Sequence, residues 1–339
     1  VPHLRSMFTA RRAAAVLVAL AAPVILSGCG GDDLAKVTYQ RTTVPPQPGS
    51  GGAGPVPQGQ VDVPELAVDK LRLVDACQLL TGEAVTQLGK PDKPLPLYQE
   101  TCMVDVRDPA DKQVKLNLRL DQRVFQPREQ AAGGLDGLPL FEQRDGDKCS
   151  DTVLTDESAK MGIGLDVTYE QGEPCGTARR VLAKIIQRLK TDPPRIDVPP
   201  NSLRQVDPCS VLPKQEVADL LGADAAASQD SLHGCSAQAT DPTKGSVVVE
   251  FRFSGPPVEA GKWKRITISG SVRGVQKYLT PSIERCEVEW EHKKYSGPLA
   301  RDGETVRVEF ANYLGDGTAP DACRKARQVA KQVLSELSG

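Results

Sequence analysis

Eight of the nine cysteines fall into two sets of four: Cys77, Cys102, Cys149 and Cys175, then Cys209, Cys235, Cys286 and Cys323. The two sets mark a repeat. Leu71-Arg72-Leu73-Val74-Asp75-Ala76-Cys77 aligns with Leu203-Arg204-Gln205-Val206-Asp207-Pro208-Cys209, sharing Leu-Arg-x-Val-Asp-x-Cys. Cys175-x-x-Ala178-Arg179-x-Val181 likewise aligns with Cys323-x-x-Ala326-Arg327-x-Val329. The offsets between paired cysteines grow along the chain, from 132 through 133 and 137 to 148, as insertions in the loops of a second copy would make them. A duplicated supersecondary unit is the simplest source of such a pattern. It divides the body into residues 66–191 and 203–339, joined by a proline-rich linker over 192–202.

The strongest helix signal in each copy is its last segment. Ala178, Val181, Leu182, Ile185 and Leu189 recur at helical spacing, as do Ala326, Val329, Val333 and Leu337. Pro174 suits a first helical turn, and Asp321 reads as an N-cap. Strands show as alternation at Val114, Leu116, Leu118 and Leu120, and at Ile163, Leu165, Val167 and Tyr169. The second copy alternates at Val247, Val249, Phe251 and Phe253, at Cys286, Val288 and Trp290, and at Val306, Val308 and Phe310. Alternation means one buried and one wet face, hence antiparallel pairing. The expected fold is therefore α+β: two tandem repeats, each an antiparallel sheet with an N-terminal and a C-terminal helix packed on it.

The lone Cys29 belongs to another signal. Met7 is followed by Arg11-Arg12, then by an apolar run from Ala13 to Leu26 that is too short to span a bilayer. The run ends in Leu26-Ser27-Gly28-Cys29, which resembles the lipobox of bacterial lipoproteins. The resemblance implies a signal peptide over 1–28, Sec export, and lipidation of Cys29 at the outer face of the cytoplasmic membrane. Two or more acyl chains anchor a protein stably where one does not. Residues 1–28 carry Arg5, Arg11 and Arg12 and no acid, so their removal takes the formal charge from −2 to −5. Such a balance argues against nucleic acid as a partner. Residues 29–65, rich in Pro, Gly and Gln, read as a disordered tether.

Export makes an even set of four cysteines per domain a disulfide framework. Three pairings are open to four cysteines; neighbour pairing, Cys77–Cys102, Cys149–Cys175, Cys209–Cys235 and Cys286–Cys323, is preferred because each would tie a helix start to the sheet. The spacings are far longer than the paired cysteines of zinc sites, so no metal is expected. The Asp207-Pro208-Cys209-Ser210-Val211-Leu212 segment, Leu221-Gly222 and the Cys-x-x-Ala helix together resemble a family of actinobacterial lipoproteins with a four-cysteine extracellular domain of unknown function. That family often carries a tryptophan two residues after its second cysteine, where this chain has Val104 and Ala237. The resemblance supplies no catalytic residues.

Chemistry is sparse in the sequence. His233 and His292 are the histidines beyond the signal, and both read as surface residues, His292 in an exposed turn. No nucleotide-binding glycine motif is present, and no cofactor is expected. One patch stands out: Lys262, Trp263, Lys264 and Arg265 place an aromatic among cations, with Arg273 and Lys277 downstream. Such a cluster suits an anionic envelope polymer or a lipid headgroup, but the plainer and favoured reading is a solvated loop with Trp263 tucked into the core edge. The partners expected of the chain as a whole are an envelope protein, lipid or polymer. Leu314-Gly315-Asp316-Gly317 reads as a loop before the last helix. The expected function is a binding, sensing or envelope-assembly module; the alternative is an envelope hydrolase using carboxylates.

Overall fold

The computed structural model describes residues 53–98, 100–241, 243–253, 255–280, 283–294, 303–313 and 319–338. The signal segment, Cys29, the first part of the tether and Leu314–Gly317 lie outside the described residues. The first repeat opens with three single-turn helices, α1 (Val68–Leu71), α2 (Ala76–Leu79) and α3 (Glu83–Thr86). Strands β1 (Lys90–Pro91), β2 (Leu95–Tyr98), β3 (Thr101–Arg107), β4 (Gln113–Arg123), β5 (Gly133–Leu135), β6 (Leu138–Asp145), β7 (Lys148–Asp156) and β8 (Met161–Tyr169) follow, then helix α4 (Pro174–Thr191). All pairings are antiparallel, in the order β1-β3-β4-β8-β7-β6-β5, with β2 also on β3.

The second repeat follows the same plan. Helix α5 (Lys214–Leu221) precedes β9 (Ala226–Ser231), β10 (Gly234–Gln238), β11 (Ser246–Arg252), β12 (Trp263–Ser269), β13 (Val272–Thr280), β14 (Ile283–Lys293) and β15 (Glu304–Asn312), and α6 (Ala319–Glu336) closes it. The antiparallel order β12-β13-β14-β15-β11-β10-β9 reproduces β5-β6-β7-β8-β4-β3 of the first sheet. The fold is thus α+β and duplicated, and the five alternating segments read from the sequence are the central strands of the two sheets.

The two cores are filled in opposite ways. Helix α4 brings Val181, Leu182, Ile185, Ile186 and Leu189 down onto an aliphatic sheet of Val114, Leu116, Leu118, Ile163, Leu165 and Val167. Helix α6 presents a smaller face, Ala322, Ala326 and Ala330 with Val329 and Val333, to a sheet that carries Phe251, Trp290 and Phe310, all fully buried. Close packing requires bulk on one surface to meet small residues on the other. The second copy has moved its volume from helix to sheet.

All four disulfides follow neighbour pairing: Cys77–Cys102, Cys149–Cys175, Cys209–Cys235 and Cys286–Cys323. They link α2 to β3, β7 to α4, the turn before α5 to β10, and β14 to α6. Closing loops of 25 to 37 residues restricts the unfolded chain, which stabilises by about 3.5 kcal/mol per bridge in the chain-entropy account. Asp75 and Asp207 explain the acid of the shared motif. Each accepts hydrogen bonds from backbone N–H groups of the turn that carries its cysteine, from Cys77 and Gln78 and from Cys209 respectively. Pro174 does open α4, whereas Asp321 lies inside α6, paired with Arg324 and Lys325, rather than capping it.

The tether reading extends too far at its C-terminal end. From Ala53 the chain is docked: Gly54 and Gly134 of β5 exchange backbone hydrogen bonds of 2.8 Å each. The contact needs glycine on the sheet side, because a Cβ on Gly134 would sit 2.5 Å from the Pro55 carbonyl oxygen. Val61 then packs on Val124, Phe141 and Leu154, on the sheet face turned away from α4. The linker is held in the same manner, with Asp75 N–H donating to the Pro194 carbonyl and Ile196 N–H to the Leu73 carbonyl.

Candidate binding cleft

Strand β12 splits the basic patch between two faces, since successive side chains on a strand point to opposite sides. Lys264 shares a face with Ile268, which enters the core beneath α6. Trp263 and Arg265 face the other way; Lys277, opposite Trp263 on β13, places its ammonium 5.3 Å from the indole centroid, and Arg265 meets Glu259 at 3.5 Å. The four residues read as one patch are therefore two pairs. The structure brings Lys262 and Lys264 together with Gln276, Tyr278 and Arg327 around an open cleft of about 620 Å³, with Gly261 and Cys323 completing its lining.

The cleft lies where the β12–β13 edge of the sheet meets the first turns of α6. Pairing of Lys264 with Gln276 and of Tyr278 with Cys286 sets the strand side of the lining, and the Cys286–Cys323 bridge fixes α6 over it. Arg327, four residues after Cys323, donates from Nη1 to Gln276 Oε1 at 3.0 Å. Among the described residues neither Lys264 nor Arg327 is in an ion pair. Glu284 and Asp321, the acids near the start of α6, are engaged by Lys325 and by Arg324 and Lys325. Reading the sequence alone missed Arg327, Gln276 and Tyr278. Only Arg327 left a trace there, as the arginine repeated in the Cys-x-x-Ala-Arg motif.

The first repeat carries the same position in a different state. Arg144 pairs with Cys149 on β6 and β7 as Tyr278 pairs with Cys286 on β13 and β14. Two residues along each strand, Glu142 faces Asp151 where Gln276 faces Val288. Arg179, four residues after Cys175, donates to Glu142 and forms an ion pair with it. Asp151 lies beneath, fully buried, its carboxyl pushed up to about 8 by burial and by the Glu142 charge. Glu142, Cys149 and Cys175 bring their ligand atoms within 4.8 Å of one another, but both sulfurs are spent in the disulfide.

No family model, curated protein or solved structure matches this chain.

The second concentration of ionisable groups lies between the repeats. The β9–β10 hairpin inserts Leu232, fully buried, into the core of the first repeat. Next to it His233 is 2% exposed and meets Glu100 at 3.3 Å, with its ring edge-on to Phe253. His233 is not the surface residue the sequence suggests, and His292 is half-buried within β14 rather than in a turn. Burial holds His233 well below its ordinary range, helped by Arg204 and Arg72. Burial and the neighbouring Asp121 push Glu100 up to about 8, while Asp121 and Asp230 are raised chiefly by their own burial. Arg72, the arginine of the first Leu-Arg-x-Val-Asp-x-Cys motif, crosses over: it donates to the Leu232 carbonyl at 2.8 Å and pairs with Asp207 at 3.1 Å. Its counterpart Arg204 stacks on Phe253, 3.8 Å from the ring centroid. The repeated arginines thus build the junction between the copies.

A third network occupies the side of the second sheet away from α6. Arg307 pairs with Glu250 at 2.8 Å and with Glu287 and Glu309, and Arg285 and Arg252 extend it. Burial opposes the charge on Arg307, but three carboxylates outweigh it and raise its affinity for the proton. These charges satisfy one another. Among the described residues, the cleft brings cations together with a lining open to a ligand.

Proposed function

We propose that this chain is a lipid-anchored extracytoplasmic binding module whose second repeat holds an anionic envelope ligand, with the first repeat joining that site to the tether. The observation that supports the reading is the cleft, where Lys262, Lys264 and Arg327 converge from the sheet edge and from α6. Cations gathered in a concave, partly apolar wall focus the potential that draws an anion in, and do so more strongly than cations spread over a convex surface. Tyr278 and Gln276 add neutral hydrogen-bonding groups beside the charges. The first repeat lacks an equivalent site because its arginine is neutralised in place. The lipobox-like Leu26-Ser27-Gly28-Cys29 supplies the anchor in this reading.

The proposal is checked by titrating the full chain with dextran sulfate as a generic polyanion. Lys264→Glu is expected to weaken binding at least tenfold, while Lys148→Glu on β7, an exposed lysine of the first repeat, leaves it within twofold. Equal weakening by both variants would mean diffuse charge attraction and no site. The anchor has its own test. Cys29→Ser should move the protein from the membrane fraction to the soluble fraction, and continued membrane retention would refute lipidation at that residue.

A further inference from the structure

We infer that the group held in this cleft is a phosphoryl group carried on a sugar or polyol, with Arg327 as its specific recognition residue. The inference rests on the anion-binding reading above and adds to it the chemistry of the ligand and the reason one repeat binds while the other does not. The internal duplication provides the control. Arg179 and Arg327 occupy the same place, four residues after the helix cysteine, and each reaches the same point on the facing strand. In the first repeat that point is Glu142, with Asp151 opposite it; in the second it is Gln276, with Val288 opposite. The arginine is kept and both carboxylates beside it are gone.

The substitution changes what the guanidinium can do. Glu142 engages Arg179 as an ion pair, so an incoming anion would have to displace a fixed carboxylate. Gln276 accepts a single hydrogen bond from one terminal nitrogen, which orients the plane of Arg327 without cancelling its charge. A guanidinium carries five N–H donors in a planar fork, so the remaining donors suit two oxygens of one tetrahedral or planar anion. Charge then selects between them. Lys264 and Arg327, neither in an ion pair among the described residues, bring two positive charges to one cleft, with Lys262 also in its lining. A single carboxylate answers one of them, whereas a phosphomonoester carries about −1.5 to −2 near neutral pH and offers three acceptor oxygens. Size selects further. A bare phosphate fills only a fraction of about 620 Å³, a volume within the roughly 300–1,000 Å³ of small-molecule sites. Tyr278 and the glutamine amide can meet hydroxyls on the part of the ligand that the phosphate leaves over.

The same monoester chemistry has two sources at a membrane surface, a free polyol phosphate and a phospholipid whose polyol headgroup carries a further phosphate. The experiment uses the full chain carrying Cys29→Ser, so that the acyl anchor does not mask lipid binding. Inositol 1-phosphate and inorganic phosphate are titrated calorimetrically, and flotation is measured with phosphatidylcholine vesicles with and without phosphatidylinositol 4-phosphate. Inositol 1-phosphate is expected to bind at least tenfold more tightly than inorganic phosphate. Gln276→Glu, which restores the acid of the first repeat, and Arg327→Gln should each weaken it ten- to a hundredfold, as loss of a charge-assisted pair does. Binding of inositol 1-phosphate in solution assigns a free phosphate. Flotation that depends on phosphatidylinositol 4-phosphate and is lost in Gln276→Glu, without binding in solution, assigns the headgroup. Either result supports the inference. Unchanged binding in Gln276→Glu, with a normal unfolding curve, overturns it. So does an absence of binding to every phosphate probe; in that event the dextran sulfate result decides separately whether the anion-binding role stands.

Discussion

Leu232→Ala is expected to destabilise the first repeat, to which Leu232 does not belong in sequence, by about 2–5 kcal/mol. The residue sits at the tip of the β9–β10 hairpin and is fully buried among the leucines and valines of the first core. Truncation removes its buried methyl groups and leaves a cavity that the surrounding sheet cannot close. The backbone at the same point is pinned by Arg72, whose Nε donates to the Leu232 carbonyl, so the hairpin cannot simply withdraw and refill the space. Hydrogen exchange on the full chain checks the result: amides of β3 and β4 should lose protection along with those of β9 and β10. Loss confined to the second repeat would show that the copies are energetically separate. A coupled response would also mean that the two repeats unfold as one unit, so that neither can be studied alone as a faithful domain.

Glu100→Gln is expected to flatten the alkaline side of the pH–stability profile. Glu100 titrates near 4.5 when unfolded and near 8 when folded, because burial and Asp121 disfavour its charge. Between those values the unfolded chain releases a proton that the native chain keeps, so stability falls as pH rises through the window. His233 acts in the opposite sense: its folded value lies well below 6.5, so stability falls as pH drops below 6.5. The two effects oppose each other between 4.5 and 6.5, which gives a plateau there. From 6.5 to 8 only the Glu100 contribution of this pair remains, and the parent should lose about 2 kcal/mol at 1.36 kcal/mol per pH unit. Asp121 and Asp230, raised by burial, act in the same direction as Glu100. Urea unfolding at pH 6.5 and 8 reads the difference directly. A parent whose stability is unchanged or higher at pH 8, or a Glu100→Gln variant that keeps the full slope, would contradict a protonated Glu100 at the junction.

Both results bear on how the binding cleft is presented. The hairpin knob, the Arg72 bridge and the docked linker hold the second repeat against the first, and the residues from Ala53 dock on the first repeat. A ligand at the proposed cleft on the β12–β13 edge would therefore be borne on two packed repeats rather than on a domain swinging from a proline linker. The linker's two Pro-Pro pairs read as a semi-rigid spacer in sequence. The Pro194 carbonyl and the Ile196 N–H meet their partners, the Asp75 N–H and the Leu73 carbonyl, only once the chain has returned on itself.

The sequence was most legible where its information is periodic or repeated. Alternation located the central strands β4, β8, β11, β14 and β15, since a half-buried strand must place apolar residues on one face. Strands β5, β6, β12 and β13 were missed: Gly133-Gly134-Leu135 is too short to show a period, and β12 mixes Trp263, Lys264, Arg265 and Ile266 because it is an edge with two partly wet faces. The candidate site lies on those illegible strands. That is why the patch was found as neighbours in sequence, Lys262 to Arg265, when strand geometry separates them in pairs.

By itself, then, the sequence determined the duplication and the α+β class, because each is encoded by local period or by order along the chain; it favoured neighbour pairing of the eight cysteines, which the structure settled. The tertiary structure alone decided that Lys262 and Lys264 meet Arg327, that His233 and Glu100 are enclosed, and that Leu232 belongs to the other repeat's core. These juxtapositions depend on strand register, on the hand each β-strand side chain takes, and on which helix a disulfide draws over the sheet. Residues far apart in the chain carry no local signal of meeting, and the chemistry of this protein is made where they do.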